Sequence, residues 1–92
     1  MGVITRDFTQ LTADGSSGEQ NIPVSGDYLF FASGTWGGGT LTLEASPDGG
    51  GRWFSVATLT ADGRSKVFIG TGEVARITMS GSTTPTIDAG LR

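Results

Sequence analysis

Apolar and polar residues alternate along most of this 92-residue chain, and the alternation predicts β-strands. The clearest example is the segment 40–45, in which every second residue is Leu or Ala and the residues between them are Thr or Glu. Segments 73–80 and 84–91 follow the same rule. No segment has the spacing of an amphipathic helix. The pattern therefore predicts an all-β protein.

Turn-forming residues separate these segments and set the number of strands at about eight. The predicted strands cover residues 3–11, 20–24, 27–33, 40–45, 53–59, 64–69, 73–80 and 84–91. Short antiparallel strands of this number fit two packed sheets, so we predict a jelly-roll-like antiparallel β-sandwich, with a small β-barrel as the alternative. We expect a single domain over residues 1–92, because a second core would leave each half too small to fold.

The inner face of the sandwich follows from the same alternation. The apolar run Tyr28–Phe31 is ambiguous, since an apolar residue at every position indicates burial on both faces and leaves either phase open. We place Leu29 and Phe31 of this run inward. The predicted core contains Leu29, Phe31, Leu41, Leu43, Val56, Ile77 and Ile87.

A short sequence recurs in the two halves of the chain. Residues 11–15 and 59–63 both read Leu-Thr-Ala-Asp-Gly, and two weaker echoes follow each copy. One interpretation is that the halves occupy pseudo-symmetric positions in the sandwich. The other is that each copy is only a strand end that runs into a turn, with Asp bonding its own backbone and Gly at positive φ. Turn chemistry alone favours the second interpretation.

Composition argues against most catalytic chemistry. The chain has neither Cys nor His, which removes disulfides, thiol chemistry, imidazole bases and the commonest metal ligands. Its net charge is −3 and no basic cluster is present, so we expect neither nucleic acid nor a membrane as a partner. We predict a soluble protein that is not an enzyme, with no catalytic residue, no cofactor and no metal site.

The segment Ser46–Trp53 reads Ser-Pro-Asp-Gly-Gly-Gly-Arg-Trp and predicts a hairpin. Pro presets the first corner, Asp accepts hydrogen bonds from the backbone, and Gly supplies positive φ. The letters also resemble the Asp-box, Ser-x-Asp-x-Gly-x-x-Trp, a folding element of sialidase-like propellers, with Arg52 where that motif usually has Thr. One copy cannot build a propeller, so we expect a structural turn and not a sugar contact.

Two tryptophans, Trp36 and Trp53, stand next to glycine-rich loops. Exposed tryptophans would form a stacking surface for sugar rings or for a protein partner. Trp53 opens an apolar strand and is expected in the core or as a hairpin anchor, whereas core packing and partner contact both stay open for Trp36. The glycine triplets 37–39 and 49–51 lack the Lys and the helix of a phosphate-binding loop, so we predict turns there.

Two stretches of the sequence resemble small virion proteins of tailed bacteriophages. They are the stretch 34–53, which opens Gly-Thr-Trp-Gly-Gly-Gly-Thr and continues to Ser-Pro-Asp-Gly-Gly, and the stretch 75–81, Ala-Arg-Ile-Thr-Met-Ser-Gly. The resemblance extends over roughly Gly34 to Leu91. It implies a β-sandwich without enzymatic residues that serves as a capsid decoration or cement subunit, a head fibre or a tail component.

The resemblance also implies partners and a location. The partners would be the major capsid protein or other virion subunits, and the protein would be made in the host cytoplasm and reside in the virion. We expect a homo-oligomer and predict a trimer, because decoration proteins commonly occupy three-fold positions on icosahedral shells. The alternative function is a carbohydrate-binding or adhesin module, in a tail or head fibre, that recognises a host surface through Trp36. A glycosidase is a remote third possibility.

The N-terminal segment is the predicted site of partner contact. Residues 1–11 have no evident hairpin partner and carry the apolar residues Val3, Ile4 and Phe8, so we predict an arm that adds as a strand to a neighbouring subunit. The alternative is an edge strand of the chain's own sheet, with the contact elsewhere. The predicted partner-contact residues are Val3, Ile4, Phe8 and Trp36.

Overall fold

A computed structural model of the chain describes residues 6–8, 10–22, 25–70 and 72–92. These ranges contain nine β-strands and no helix, which confirms the all-β prediction. The strands are β1 (Arg6–Asp7), β2 (Gly15–Ser16), β3 (Gln20–Asn21), β4 (Gly26–Thr35), β5 (Thr40–Ser46), β6 (Phe54–Leu59), β7 (Gly63–Ile69), β8 (Val74–Ser80) and β9 (Thr86–Leu91). The short strand β2 is the one that the alternation did not predict.

The strands form two antiparallel sheets. The first sheet has the order β1-β9-β4-β7, and the second has the order β2-β8-β5-β6, with β3 pairing with β8 beside β2. The described strands do not close into a barrel, and the inward side chains of both sheets share one core. The architecture is that of a β-sandwich.

The core contains most of the residues that the alternation placed there. Leu41, Leu43, Ile77 and Ile87 have no accessible surface, and Val56 is partly buried against the same cluster. Inward residues of β8 and β9 follow the predicted period of two. Strict alternation on three strands was therefore sufficient to identify their inner faces.

Strand β4 has the opposite phase to the predicted one. Tyr28, Phe30 and Ala32 face the core, whereas Leu29 and Phe31 lie half-buried on the outer face. The phase is set by the neighbouring strand, because the inward residues of β9 lie directly opposite inward residues of β4, as Ala89 lies opposite Ala32. An unbroken apolar run carries no phase of its own.

The N-terminal segment pairs within its own sheet where it is described. Arg6 lies opposite Leu91 in β9, and the Phe8 N–H donates to the carbonyl oxygen of Ala89 at 3.0 Å. The Phe8 side chain is 6% exposed and belongs to the core of its own chain, which agrees with the edge-strand alternative for this segment. The reason is that the edge of β9 offers backbone partners that this segment satisfies. Val3 and Ile4 lie outside the described residues.

Each strand of the first half of the chain has a counterpart in the second half that occupies the equivalent position in the other sheet. We define the first half as β1–β5 and the second half as β6–β9. Exchanging β1 with β6, β4 with β8, β5 with β9, and β2 plus β3 with β7 converts the order of the first sheet into that of the second. The repeated Leu-Thr-Ala-Asp-Gly leads into β2 in one half and into β7 in the other. The fold supports the pseudo-symmetric interpretation of the repeat, which turn chemistry alone did not favour.

The phase of β4 generates a stability prediction. Phe30→Ala removes a fully buried ring and is expected to lower the free energy of unfolding by about 3–5 kcal/mol. Phe31→Ala removes a half-buried ring from the outer face, and we expect a loss of about 1 kcal/mol. Urea denaturation measures both values. Equal losses, or a larger loss for Phe31→Ala, would contradict the observed phase.

Candidate partner-binding surface

Trp36 is held against the sandwich by an aspartate of the β6–β7 connection. Its indole N–H donates to Asp62 Oδ1 at 2.7 Å, and the Gly34 N–H donates to the same oxygen at 3.0 Å. These two hydrogen bonds, the indole one first, lower the pKa of Asp62. The ring is half-buried and packs against the core. Trp36 therefore has the character of a packed residue more than that of an open platform for a sugar ring.

Asp14 holds the β8–β9 connection in a similar way. Its Oδ1 accepts a hydrogen bond from the Ser82 N–H at 3.0 Å and a second one from the Ser82 hydroxyl. The hydroxyl bond first, and then the amide bond, lower the pKa of Asp14. Asp14 and Asp62 are the equivalent residues of the two repeat copies. Each one binds a loop from the other half, where turn chemistry predicted a bond to its own backbone.

The turn between β5 and β6 has the predicted hairpin structure. The Ser46 hydroxyl donates to Asp48 Oδ1 at 2.8 Å, and the same hydroxyl accepts from the Gly50 N–H at 2.8 Å. Asp48 Oδ1 also accepts from the Arg52 N–H at 2.8 Å, and this bond is the main cause of the lowered pKa of Asp48. Gly49 has φ of 77°. All of these hydrogen bonds lie within the turn and stabilise it.

The outer face of the second sheet is covered by polar side chains that bind one another. Arg76 Nε donates to Glu44 Oε1 at 2.9 Å, and the Thr78 hydroxyl donates to the same oxygen at 2.7 Å. The Ser16 and Thr78 hydroxyls lie 2.9 Å apart. The Arg76 guanidinium also stands 4.0 Å from the centroid of the Trp53 ring. The central strands of this face carry a polar network that includes Trp53, while Phe54 on the edge strand β6 is 56% exposed.

The outer face of the first sheet has a different composition. Leu29 and Phe31 of β4 point outward and are half-buried, and Phe68 of β7 is 65% exposed. Arg64 and Lys66 of β7 lie directly opposite Phe31 and Leu29. We call these five residues the β4–β7 face. It is an apolar surface with cations beside it, and it offers a partner both kinds of contact.

Further charges border the β4–β7 face. The Arg92 guanidinium stands 4.9 Å from the centroid of the Phe31 ring, and Lys66 Nζ lies 3.4 Å from Asp27 Oδ2. Arg64, Lys66 and Arg92 are three of the six Lys and Arg residues of the chain. Asp88 of β9 lies opposite Ser33 on the same outer face and accepts a hydrogen bond from Gln10.

Pseudo-symmetry shows that the sandwich does not require apolar residues at these outward positions. Gly63 lies opposite Ala32, and the equivalent Gly15 lies opposite Met79, so Ala32 corresponds to Met79. By the same offset of 47 residues, Leu29 corresponds to Arg76 and Phe31 to Thr78. The second sheet thus places polar, mutually bonded side chains where the first sheet places Leu and Phe. The fold alone does not account for the apolar pair.

The edges of the sheets are poorly suited to strand addition. Strand β6 has a register shift against β5. The edge next to β8 consists of two separate strands, β2 and β3, and these two strands and β1 are each only two residues long. Edge strand β7 carries Arg64 and Lys66, and charged side chains on an edge disfavour pairing with another strand. A partner would therefore meet a face of the sandwich more readily than an edge.

Comparison with known proteins found no relative of this chain. No family model matches the chain, and neither curated proteins nor solved structures contain a match. Among the described residues, no group of three or more His, Cys, Asp and Glu side chains could hold a metal ion. The described part of the chain also contains no helix that is long and apolar enough to cross a membrane.

Sequence reasoning did not identify the apolar residues of the β4–β7 face as outward-facing. The available signal was the apolar run Tyr28–Phe31 beside the strictly alternating segment 84–91. Only one face of β4 can meet the core once β9 lies beside it, so the other face of the run must point outward. Phe68 was in a predicted strand without an assigned direction.

The β5–β6 turn generates a prediction about backbone conformation. Gly49 has positive φ, and a Cβ added there would meet no atom within 4 Å, so Gly49→Val is expected to cost about 1–3 kcal/mol of stability through backbone strain. Gly18→Val is the matched control, because Gly18 has equally open space without that φ. Thermal unfolding compares the two. Equal stability of both variants would contradict the turn structure.

Asp62 generates a prediction about pH. Because its pKa is lowered in the folded chain, its hydrogen bonds stabilise the fold above the unfolded pKa of about 4 and are lost as the pH falls through the folded value. In a Trp53→Phe background, Trp36 is the remaining tryptophan, and we expect its fluorescence to change as acid protonates Asp62. Asp62→Asn should remove this change. An identical titration of both proteins would contradict the assignment.

Proposed function

We propose that the chain is a non-enzymatic structural subunit of a bacteriophage virion, and specifically a capsid decoration or cement subunit that binds the shell through the β4–β7 face. The observation that carries the proposal is the pair Leu29 and Phe31 on an outer face whose pseudo-symmetric counterpart is polar. Apolar side chains that the fold does not require are a feature of protein-binding surfaces. The resemblance of the stretches 34–53 and 75–81 to virion proteins supplies the class of partner.

The composition of the face indicates the chemistry of the shell surface that would receive it. Apolar groups would cover Leu29, Phe31 and Phe68, and carboxylates around them would meet Arg64, Lys66 and Arg92. Electrostatic complementarity of this kind favours a defined orientation and suppresses wrong partners. The major capsid protein is the partner that the resemblance implies. The trimer stays a prediction of the same resemblance.

The carbohydrate-binding alternative receives less support. It depended on Trp36 as an open aromatic platform, and the indole N–H is bound by Asp62 while the ring packs against the core. Trp53 is likewise engaged with Arg76. We therefore retain glycan recognition only as an outcome that the test must distinguish.

The test measures binding of the purified chain to empty shells of the virus that encodes it. We expect the wild-type chain to co-sediment with the shells, and the double variant Phe31→Thr, Phe68→Thr to bind at least about tenfold more weakly, since it loses two aromatic contacts. Phe31→Thr installs the residue type that the second sheet has at the equivalent position. The matched control is Thr42→Ala, Thr58→Ala, a cross-strand pair on the opposite face, which should bind normally.

Three results would overturn the proposal. They are equal shell binding by the β4–β7 face variant and the wild type, equal weakening by the control pair, and the absence of shell binding by the wild type. A glycan array run on the wild type adds an independent readout. Specific glycan binding that survives the double variant would favour the carbohydrate-binding alternative.

A further inference from the structure

Every pair of neighbouring strands in the described structure joins the first half of the chain to the second half. The pairs are β1 with β9, β2 and β3 with β8, β4 with β7 and β9, and β5 with β6 and β8. Among the described strands, none pairs with another strand of its own half. The interface between the halves therefore includes all of the sheet hydrogen bonding that the structure describes.

The loops follow the same rule. Asp14 of the first half binds Ser82 of the second, Asp62 of the second half binds Gly34 and Trp36 of the first, and the Thr83 N–H donates to the Gly37 carbonyl oxygen at 3.0 Å. The chain passes from one half to the other only once, through the seven-residue segment 47–53. The fold is thus an intertwined pair of halves with a single covalent connection.

We propose that the segment 47–53 is a hinge at which this chain exchanges halves with a second copy. In the exchanged dimer, the first half of one chain pairs with the second half of its partner, and the reverse pairing completes a second sandwich. Each sandwich keeps every strand pair and loop contact given above, because all of them already join unlike halves. Only the hinge changes, and this is the condition under which domain swapping is inexpensive. The inference concerns self-association and does not rest on the proposed shell binding.

The sequence of the hinge favours the closed turn. The closed turn uses positive φ at Gly49 and Gly50 and the hydrogen bonds that Ser46 and Asp48 make. An extended hinge needs neither. A hinge that is too short to form the closed turn therefore destabilises the single-chain sandwich. A longer hinge still allows the chain to reverse direction and keeps that form.

The first experiment shortens the hinge until it cannot reverse direction. Deleting residues 47–53 leaves only Ser46 between Ala45 and Phe54, the last residues that pair across β5 and β6, and the tightest common antiparallel hairpins need a two-residue loop. We expect this variant to keep the β-type circular dichroism spectrum and to exchange halves. The matched control inserts ten Gly and Ser residues after Gly50, and it should remain a single-chain sandwich.

A disulfide reports which chain supplies each half. The chain has no native Cys, and Thr35 of β4 lies directly opposite Thr86 of β9 on the outer face, at a spacing compatible with a disulfide. The pair Thr35→Cys, Thr86→Cys is introduced into the deletion and insertion variants. After oxidation, a non-reducing gel should show the deletion variant at twice the mass of one chain and the insertion variant at the mass of one chain. This readout is independent of any non-covalent trimer.

A second measurement covers the case in which the deletion variant does not fold. The full-length chain with the same cysteine pair is unfolded, refolded under reducing conditions at increasing protein concentration, and then oxidised. Half exchange requires the covalent dimer fraction to rise with concentration. The proposal is overturned by a folded deletion variant whose disulfide stays within one chain. It is also overturned if the deletion variant does not fold and the refolded full-length chain forms no concentration-dependent covalent dimer.

Discussion

Hydrogen bonding between the two halves of the chain is the interaction on which the rest of this structure depends. The central strands β4 and β9 of the first sheet, and β5 and β8 of the second, each come from different halves. A strand whose backbone donors and acceptors are unpaired is unstable when buried, so neither half can bury its apolar side chains without the other. Burial of Phe30, Leu43 and Ile77 therefore depends on the pairing of the halves.

The same constraint explains the two aspartates of the repeat. A turn that ends in Asp-Gly satisfies itself when it is isolated, but here the turns lie beside the loops of the opposite half. Asp14 and Asp62 consequently accept hydrogen bonds from Ser82 and from Gly34 and Trp36. Side-chain bonds at the loops thus continue the pairing that the sheets begin, and they also decide how much of Trp36 is covered.

Pseudo-symmetry makes the difference between the outer faces informative. Both sheets have the same strand order, so their outward positions carry the same structural demands. The second sheet meets these demands with Glu44, Arg76 and Thr78, which bind one another. The first sheet has Leu29 and Phe31 instead, with cations opposite them. A difference that the scaffold does not impose points to a contact outside the chain, and this reasoning underlies the proposed function.

The sequence by itself determined the all-β class, the strands with strict alternation, their inner faces and the turn at Ser46–Trp53. These features depend on periods and turn residues that are local to each segment. Only the tertiary structure decided the phase of β4, the burial of Phe8 and the partners of Asp14 and Asp62. Each of these depends on which strand or loop of the other half lies alongside. Local alternation specifies a period, but a segment that is apolar throughout, or that lacks a neighbour in sequence, receives its direction from its hydrogen-bonded neighbour.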